Sequence, residues 1–154
     1  MDYRFVADRM LGRLAKMLRL LGYDTLFARD LSARQLKDLA RREGRIILTR
    51  GDVRRRFPEA ENVLSLRSEY APEQLREVVQ HCGLDVRTGL WTRCTLCNAA
   101  ITRVEKMHIQ PFVKPRVYEL YEDFYQCTGC RHVYWRGSHV ERILKNLSAI
   151  LERS

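Results

Sequence analysis

The sequence predicts an α/β chain: a mainly parallel sheet flanked by helices, then a small cysteine-held module and a closing helix. Two observations carry this class. Over the first 83 residues strand-like and helix-like hydrophobic patterns alternate, as in a doubly wound parallel sheet. After Gly89 helical periodicity fades, and both Cys-x-x-Cys pairs, most tyrosines and both tryptophans fall within residues 90–137. The expected organisation is therefore an α/β domain over 1–89, a metal module over 90–137 and a C-terminal amphipathic helix over 138–154.

The elements follow in order. Tyr3 to Ala7 reads as a strand with Asp8 at its exit. Met10, Leu11, Leu14, Leu18 and Leu21 recur at helical spacing, with Arg9, Arg13, Lys16 and Arg19 mostly off that stripe and Gly22 as the stop. Thr25 to Ala28 is a second strand ending in Arg29-Asp30. Ser32 and Gln35 form a capping box for a helix that Gly44 ends. Arg45 to Thr49 is the third strand, a short helix follows, and Asn62 to Leu66 is the fourth strand. Pro72 opens a helix running to about Cys82, before Gly83. At the far end, Ser138 and Glu141 form a second capping box. Val140, Ile143, Leu144, Leu147, Ile150 and Leu151 then trace an apolar stripe. That stripe suits packing on the core or on a partner, a second copy of the chain included, rather than a membrane.

Charge narrows the partners. Among 154 residues, 28 Lys and Arg stand against 19 Asp and Glu, a formal charge of +9 with pI near 9.7. Such an excess favours a polyanion, with nucleic acid ahead of a membrane surface. No apolar stretch reaches the ~20 residues of a transmembrane helix, and Met1 leads into a charged strand rather than a signal peptide. The expected address is the cytoplasm.

Cysteine usage points to metal. Cys94-x-x-Cys97 and Cys127-x-x-Cys130 are separated by 29 residues. Each tight turn presents two thiolates to one ion, and two such turns complete a tetrahedral S4 shell that suits zinc. A closed S4 site leaves no position for water, so the expected zinc is structural. The insert between the pairs is expected to form strands and a tyrosine-bearing excursion. Its Lys106, His108, Lys114, Arg116, Tyr118 and Tyr121 suit either a nucleic-acid surface or ordinary packing. Cys82 reads as a small apolar residue at a helix end.

Asp8, Asp30 and Asp52 each lie just beyond a predicted strand. In parallel sheets the carboxyl ends of neighbouring strands line one crevice. Three carboxylates gathered there require a cation, and Mg²⁺ or Mn²⁺ is the hard, oxygen-seeking choice that polarises a phosphodiester and activates water. Each of these residues, taken singly, also suits a helix or turn cap. Asp24, after the Gly22 turn, and Asp38, on an exposed helix face, have weaker claims to a site. No phosphate-binding glycine loop, Gly-x-Ser-x-Gly elbow or His-Glu-x-x-His is present.

The stretch Phe5-Val-Ala-Asp8-Arg-Met-Leu-Gly-Arg-Leu-Ala-Lys-Met-Leu-Arg-Leu-Leu-Gly-Tyr-Asp24-Thr closely resembles the opening of the Mut-seven C-terminal RNase domain family. The resemblance continues through Ala28-Arg29-Asp30, Ile47-Leu48-Thr49-Arg50, both cysteine pairs and Val133-Tyr134-Trp135-Arg-Gly-Ser138-His139. It implies a PIN-like α/β domain fused to a zinc ribbon, with metal-dependent ribonuclease activity. Asp8 and Asp30 match the family's acidic positions directly. The family reads Thr-Arg-Asp after the third strand, whereas here Gly51 fills that place and Asp52 follows. Asn98 and Arg131 stand where the family commonly has glycine after each cysteine pair.

The functional expectation is an RNase. Asp8, Asp30 and Asp52 would be catalytic and hold Mg²⁺ or Mn²⁺, and Arg9, Arg13, Arg50 and Arg54 would contact phosphates. Cys94, Cys97, Cys127 and Cys130 would hold structural zinc in a ribbon that extends the RNA surface. The alternative is a catalytically inactive nucleic-acid- or protein-binding module of the same fold.

Overall fold

The computed structural model describes residues 2–152. Two compact units emerge, one up to Asn98 and the other from Ala99 onward.

The first unit is built on four parallel strands: β1 (Arg4–Asp8), β2 (Asp24–Ala28), β3 (Ile46–Thr49) and β4 (Val63–Ser65). Their spatial order is β2-β1-β3-β4. Between them run α1 (Gly12–Leu20), α2 (Ala33–Glu43) and the single-turn α3 (Val53–Arg56), and α4 (Ala71–Cys82) follows. α1 packs on β1, β2 and α4, while α2 packs on β1 and β3. Val6, Ala28 and Ile47 meet Leu36, Ala40 and Phe57 in one buried cluster. Phe5, Ala7, Leu48, Leu14, Leu18, Leu75 and Val78 are also fully buried. The sheet is thus apolar on both faces, which is why its strands read as continuous hydrophobic runs.

Local chemistry sets the element ends. Ser32 and Gln35 form the expected reciprocal box at α2, and Gly44 and Gly83 close α2 and α4 in the left-handed region. From β1 the chain goes to β2 on one side, and then crosses to β3 and β4 on the other. The reversal opens a crevice beyond the carboxyl ends of β1 and β3, the place where doubly wound sheets carry their sites.

The second unit contains an antiparallel sheet of β5 (Ile101–Val104), β6 (Phe124–Cys127) and β7 (Val133–Trp135), in that order. The excursion between β5 and β6 holds two short helices, α5 (Lys106–Ile109) and α6 (Pro115–Leu120), joined through a 3-10 turn. Ile109, Phe124 and Val133 form its small core, with Tyr118, Tyr121 and Trp135 packed on it. α7 (Ser138–Glu152) closes the chain and buries Val140 and Leu147. The Gly137 carbonyl accepts the amides of Val140 and Glu141, so Gly137 holds the capping position expected of Ser138. No described helix is long and apolar enough to cross a membrane.

Candidate active site and four-cysteine centre

Asp8 is the last residue of β1 and is 1% exposed. One carboxylate oxygen accepts the amide of Arg9 at 2.9 Å. The other accepts the Thr49 hydroxyl from the end of β3 at 2.8 Å, and the Arg56 guanidinium. Burial pushes the carboxyl pKa up, but the hydrogen bonds from Arg56, Thr49 and the Arg9 amide outweigh it and hold it below the ordinary value. Asp8 is therefore an ionised carboxylate at the switch point of the sheet.

Arg56 reaches Asp8 because of two neighbours. Asp52 caps α3, accepting the amides of Arg54 at 3.0 Å and Arg55 at 3.4 Å. That starts a single turn whose last residue, Arg56, points back toward β1. A Cβ on Gly51 would lie 3.1 Å from the Arg56 Cδ and 3.3 Å from its Nη1, so the missing side chain is the space the arginine occupies. The Arg56 guanidinium also lies 5.1 Å from the centre of the Phe57 ring.

The other predicted site residues are placed as follows. Asp30 lies two residues beyond β2, exposed, at the same end of the sheet as Asp8. Asp52 is exposed, with its carboxylate engaged as the α3 cap. Arg9, Arg13 and Arg54 are exposed, and Arg50 pairs with Glu69 at 3.6 Å. Magnesium takes oxygen ligands at about 2.0–2.1 Å in near-octahedral array. Among the described residues, Asp8, Asp30 and Asp52 do not form a group close enough to share an ion. With Asp8 hydrogen-bonded to Arg56 and Asp52 capping a helix, the three carboxylates do not make one shared Mg²⁺ or Mn²⁺ site in this arrangement. The cation at Asp8 is the Arg56 side chain.

The cysteines do converge. The sulfurs of Cys94, Cys97, Cys127 and Cys130 all lie within 4.8 Å of one another. Four thiolates around one ion at about 2.3 Å suit that spacing, so the donor set fits structural zinc. The two turns are built alike. Asn98 donates its amide to the Cys94 carbonyl at 3.0 Å, and Arg131 to that of Cys127 at 3.1 Å. Both residues are left-handed, with φ of 74° and 64°. This is the backbone that makes glycine the easy choice after such a pair.

A family model, the Mut7-C RNAse domain, matches residues 3–147. The chain belongs to the Mut7-C RNase domain family. It is also similar to the exonuclease mut-7 homolog of Homo sapiens, with 35% identity over 102 residues, 62% of this chain and 12% of that protein. The chain thus corresponds to a small part of this relative.

In this Mut7-C domain a second polar cluster was not legible as a site, and it is structural. Asp24, at the start of β2, accepts Arg45 at 2.8 and 3.3 Å and the Asn98 side-chain amide at 2.8 Å. Asn98 returns its carbonyl oxygen to the Thr25 amide at 3.0 Å, satisfying an edge-strand donor. Buried Arg19 donates to the carbonyls of Thr25, Thr95 and Leu96. Together these bonds fix the first cysteine turn to the outer edge of β2. For Asp24, burial pushes the carboxyl up, and Arg45 and Asn98 more than reverse it. Burial also pushes up the thiol of half-buried Cys82, which suits the apolar role expected of it.

Proposed function

We propose that this Mut7-C domain is a ribonuclease acting on RNA phosphodiesters at the crevice beyond β1 and β3. The single observation that carries this reading is Asp8: a fully buried, ionised carboxylate fixed at the switch point of the sheet. Membership of an RNase domain family and the +9 charge support a polyanionic substrate. Asp30 is the second carboxylate proposed for the chemistry. Arg9, Arg13, Arg50 and Arg54 are proposed phosphate contacts, and the zinc-held ribbon an extension of the RNA surface. Magnesium or manganese dependence would require the Arg56 guanidinium to leave Asp8, because one carboxylate oxygen now serves both Arg56 and Thr49.

Arg56 and the helix-capping Asp52 favour one second reading, a nucleic-acid-binding module without catalysis. The two separate in one assay. Zinc-loaded protein is incubated with single-stranded RNA in buffer with and without added Mg²⁺ or Mn²⁺, and binding and cleavage are scored side by side. Product in either buffer supports the nuclease, and product only with added cation makes it metal-dependent. Salt-sensitive binding with no product in either buffer supports the module.

A further inference from the structure

Next to Asp8 the first unit carries a cleft of about 880 Å³, lined by the β1–α1 connection, one side of α1, Phe27 and the chain leading into the first turn of α4. Three exposed cations, Arg9, Arg13 and Lys16, lie along it, against one carboxylate, Glu69, which pairs with Arg50. Three exposed apolar groups share it. The Tyr70 ring is 73% exposed, Met10 is about half exposed and Phe27 is 37% exposed. Large apolar side chains left in water on a well-held backbone mark a binding surface.

The backbone under both rings is held. The Tyr70 amide donates to the Ser68 hydroxyl at 3.0 Å, and its carbonyl accepts the Gln74 amide at 2.9 Å. Buried Gln74 donates to the Ser68 carbonyl at 2.9 Å, and Glu77 accepts the amides of Arg67 and Ser68. A loop so tied still presents a ring that buries little of itself. Phe27 sits on β2, and its ring tip lies 3.2 Å from where a Cβ on Gly12 would be. The glycine makes room for the ring at the opening of α1.

Rings interleaved with cations fit one polymer well. Unpaired bases stack on aromatic faces irrespective of sequence, while the connecting phosphates meet Arg and Lys. A duplex offers phosphates but keeps its bases stacked inside. We propose that single-stranded RNA lies in this cleft, with bases stacking on Tyr70 and Phe27 and phosphates meeting Arg9, Arg13 and Lys16. The strand is thereby led to Asp8, whose carboxylate accepts the Arg9 amide. This subsite rests on the ribonuclease reading and gives it a preference for unpaired substrate.

The test is fluorescence anisotropy with the full chain, zinc-loaded, in buffer without Mg²⁺ or Mn²⁺. The probes are a 12-nucleotide single-stranded RNA, the corresponding duplex and an abasic strand of equal length. The expected result is tighter binding of the single strand than of the duplex or the abasic strand. Tyr70→Ala and Phe27→Ala each weaken single-strand binding by about 5- to 100-fold, the loss of one stacked base. Tyr70→Phe retains it. Arg13→Ala instead lowers the slope of log affinity against log salt by about 1. Tyr70 is exposed, so circular dichroism of its variants should match the parent.

Equal binding by the parent and both ring variants overturns the proposal and assigns the cleft to another class of partner, such as a peptide. Equal binding of abasic and normal strands also overturns it. The same preparations are then assayed for cleavage with Mg²⁺. Cleavage with ring-independent binding removes the subsite and leaves the nuclease. Ring-dependent binding without cleavage leaves the subsite and removes the nuclease.

Discussion

At the scale of single residues, the proposed chemistry rests on Asp8 and its partner Arg56. Each carboxylate oxygen of Asp8 has a donor, and the guanidinium paired with it comes from a residue 48 positions away. Arg56→Ala should cost about 1–3 kcal/mol in urea unfolding, as loss of a hydrogen bond to a charged group does. Added Mg²⁺ should restore part of that stability, because any ion that binds only the folded form stabilises it. An Arg56→Ala protein indifferent to Mg²⁺ would show that Asp8 does not receive the ion when the guanidinium is gone. Asp24 supplies the pH prediction. Its pKa is lowered on folding, so its contribution is complete above the unfolded carboxylate value near 3.9 and is lost as pH falls through the folded one. The stability gap between the parent and Asp24→Asn, measured by urea unfolding at pH 7 and pH 3, should therefore shrink at the lower pH.

At the scale of elements, the two cysteine turns share a backbone and differ in side-chain role. Arg131 is exposed and left-handed, so Arg131→Gly should stabilise the chain by about 1 kcal/mol through relief of the Cβ clash. Asn98→Gly relieves the same clash but removes the bonds to Asp24 and Thr25, and should destabilise by about 1–3 kcal/mol. Thermal midpoints moving in opposite directions would check the pair. Much of this level was legible in the sequence. The alternating runs identify all four parallel strands, the Ser32–Gln35 box and Gly44 bound α2, and the cysteine spacing marks the metal centre. The residues after each cysteine pair were legible as departures from glycine, though their left-handed backbone was not. Arg56 was hidden because its reach depends on the Asp52 cap, a four-residue helix and the open space at Gly51 acting together. The helices between β5 and β6 were missed because four- and six-residue helices are too short for periodicity to register. Tyr118 and Tyr121, expected partly as a nucleic-acid surface, pack on the small core, and Lys106 sits 4.7 Å over the Tyr118 ring.

At the scale of the molecule, the described core cluster of the second unit is small, built on Ile109, Phe124 and Val133. So small a core needs a staple, and for zinc the binding energy serves as folding energy. Cys127→Ser should therefore reduce bound zinc, measured by elemental analysis, and lower the thermal midpoint. A variant that keeps the parent's midpoint without zinc would contradict a structural ion. The account's central claim is that Asp8 is the centre of an RNA-cleaving site. It is tested most directly by following cleavage of an end-labelled single-stranded RNA by the parent and by Asp8→Asn, purified in parallel and matched by circular dichroism. The account predicts product from the parent and none above the buffer blank from Asp8→Asn. Equal cleavage by the two proteins would contradict it.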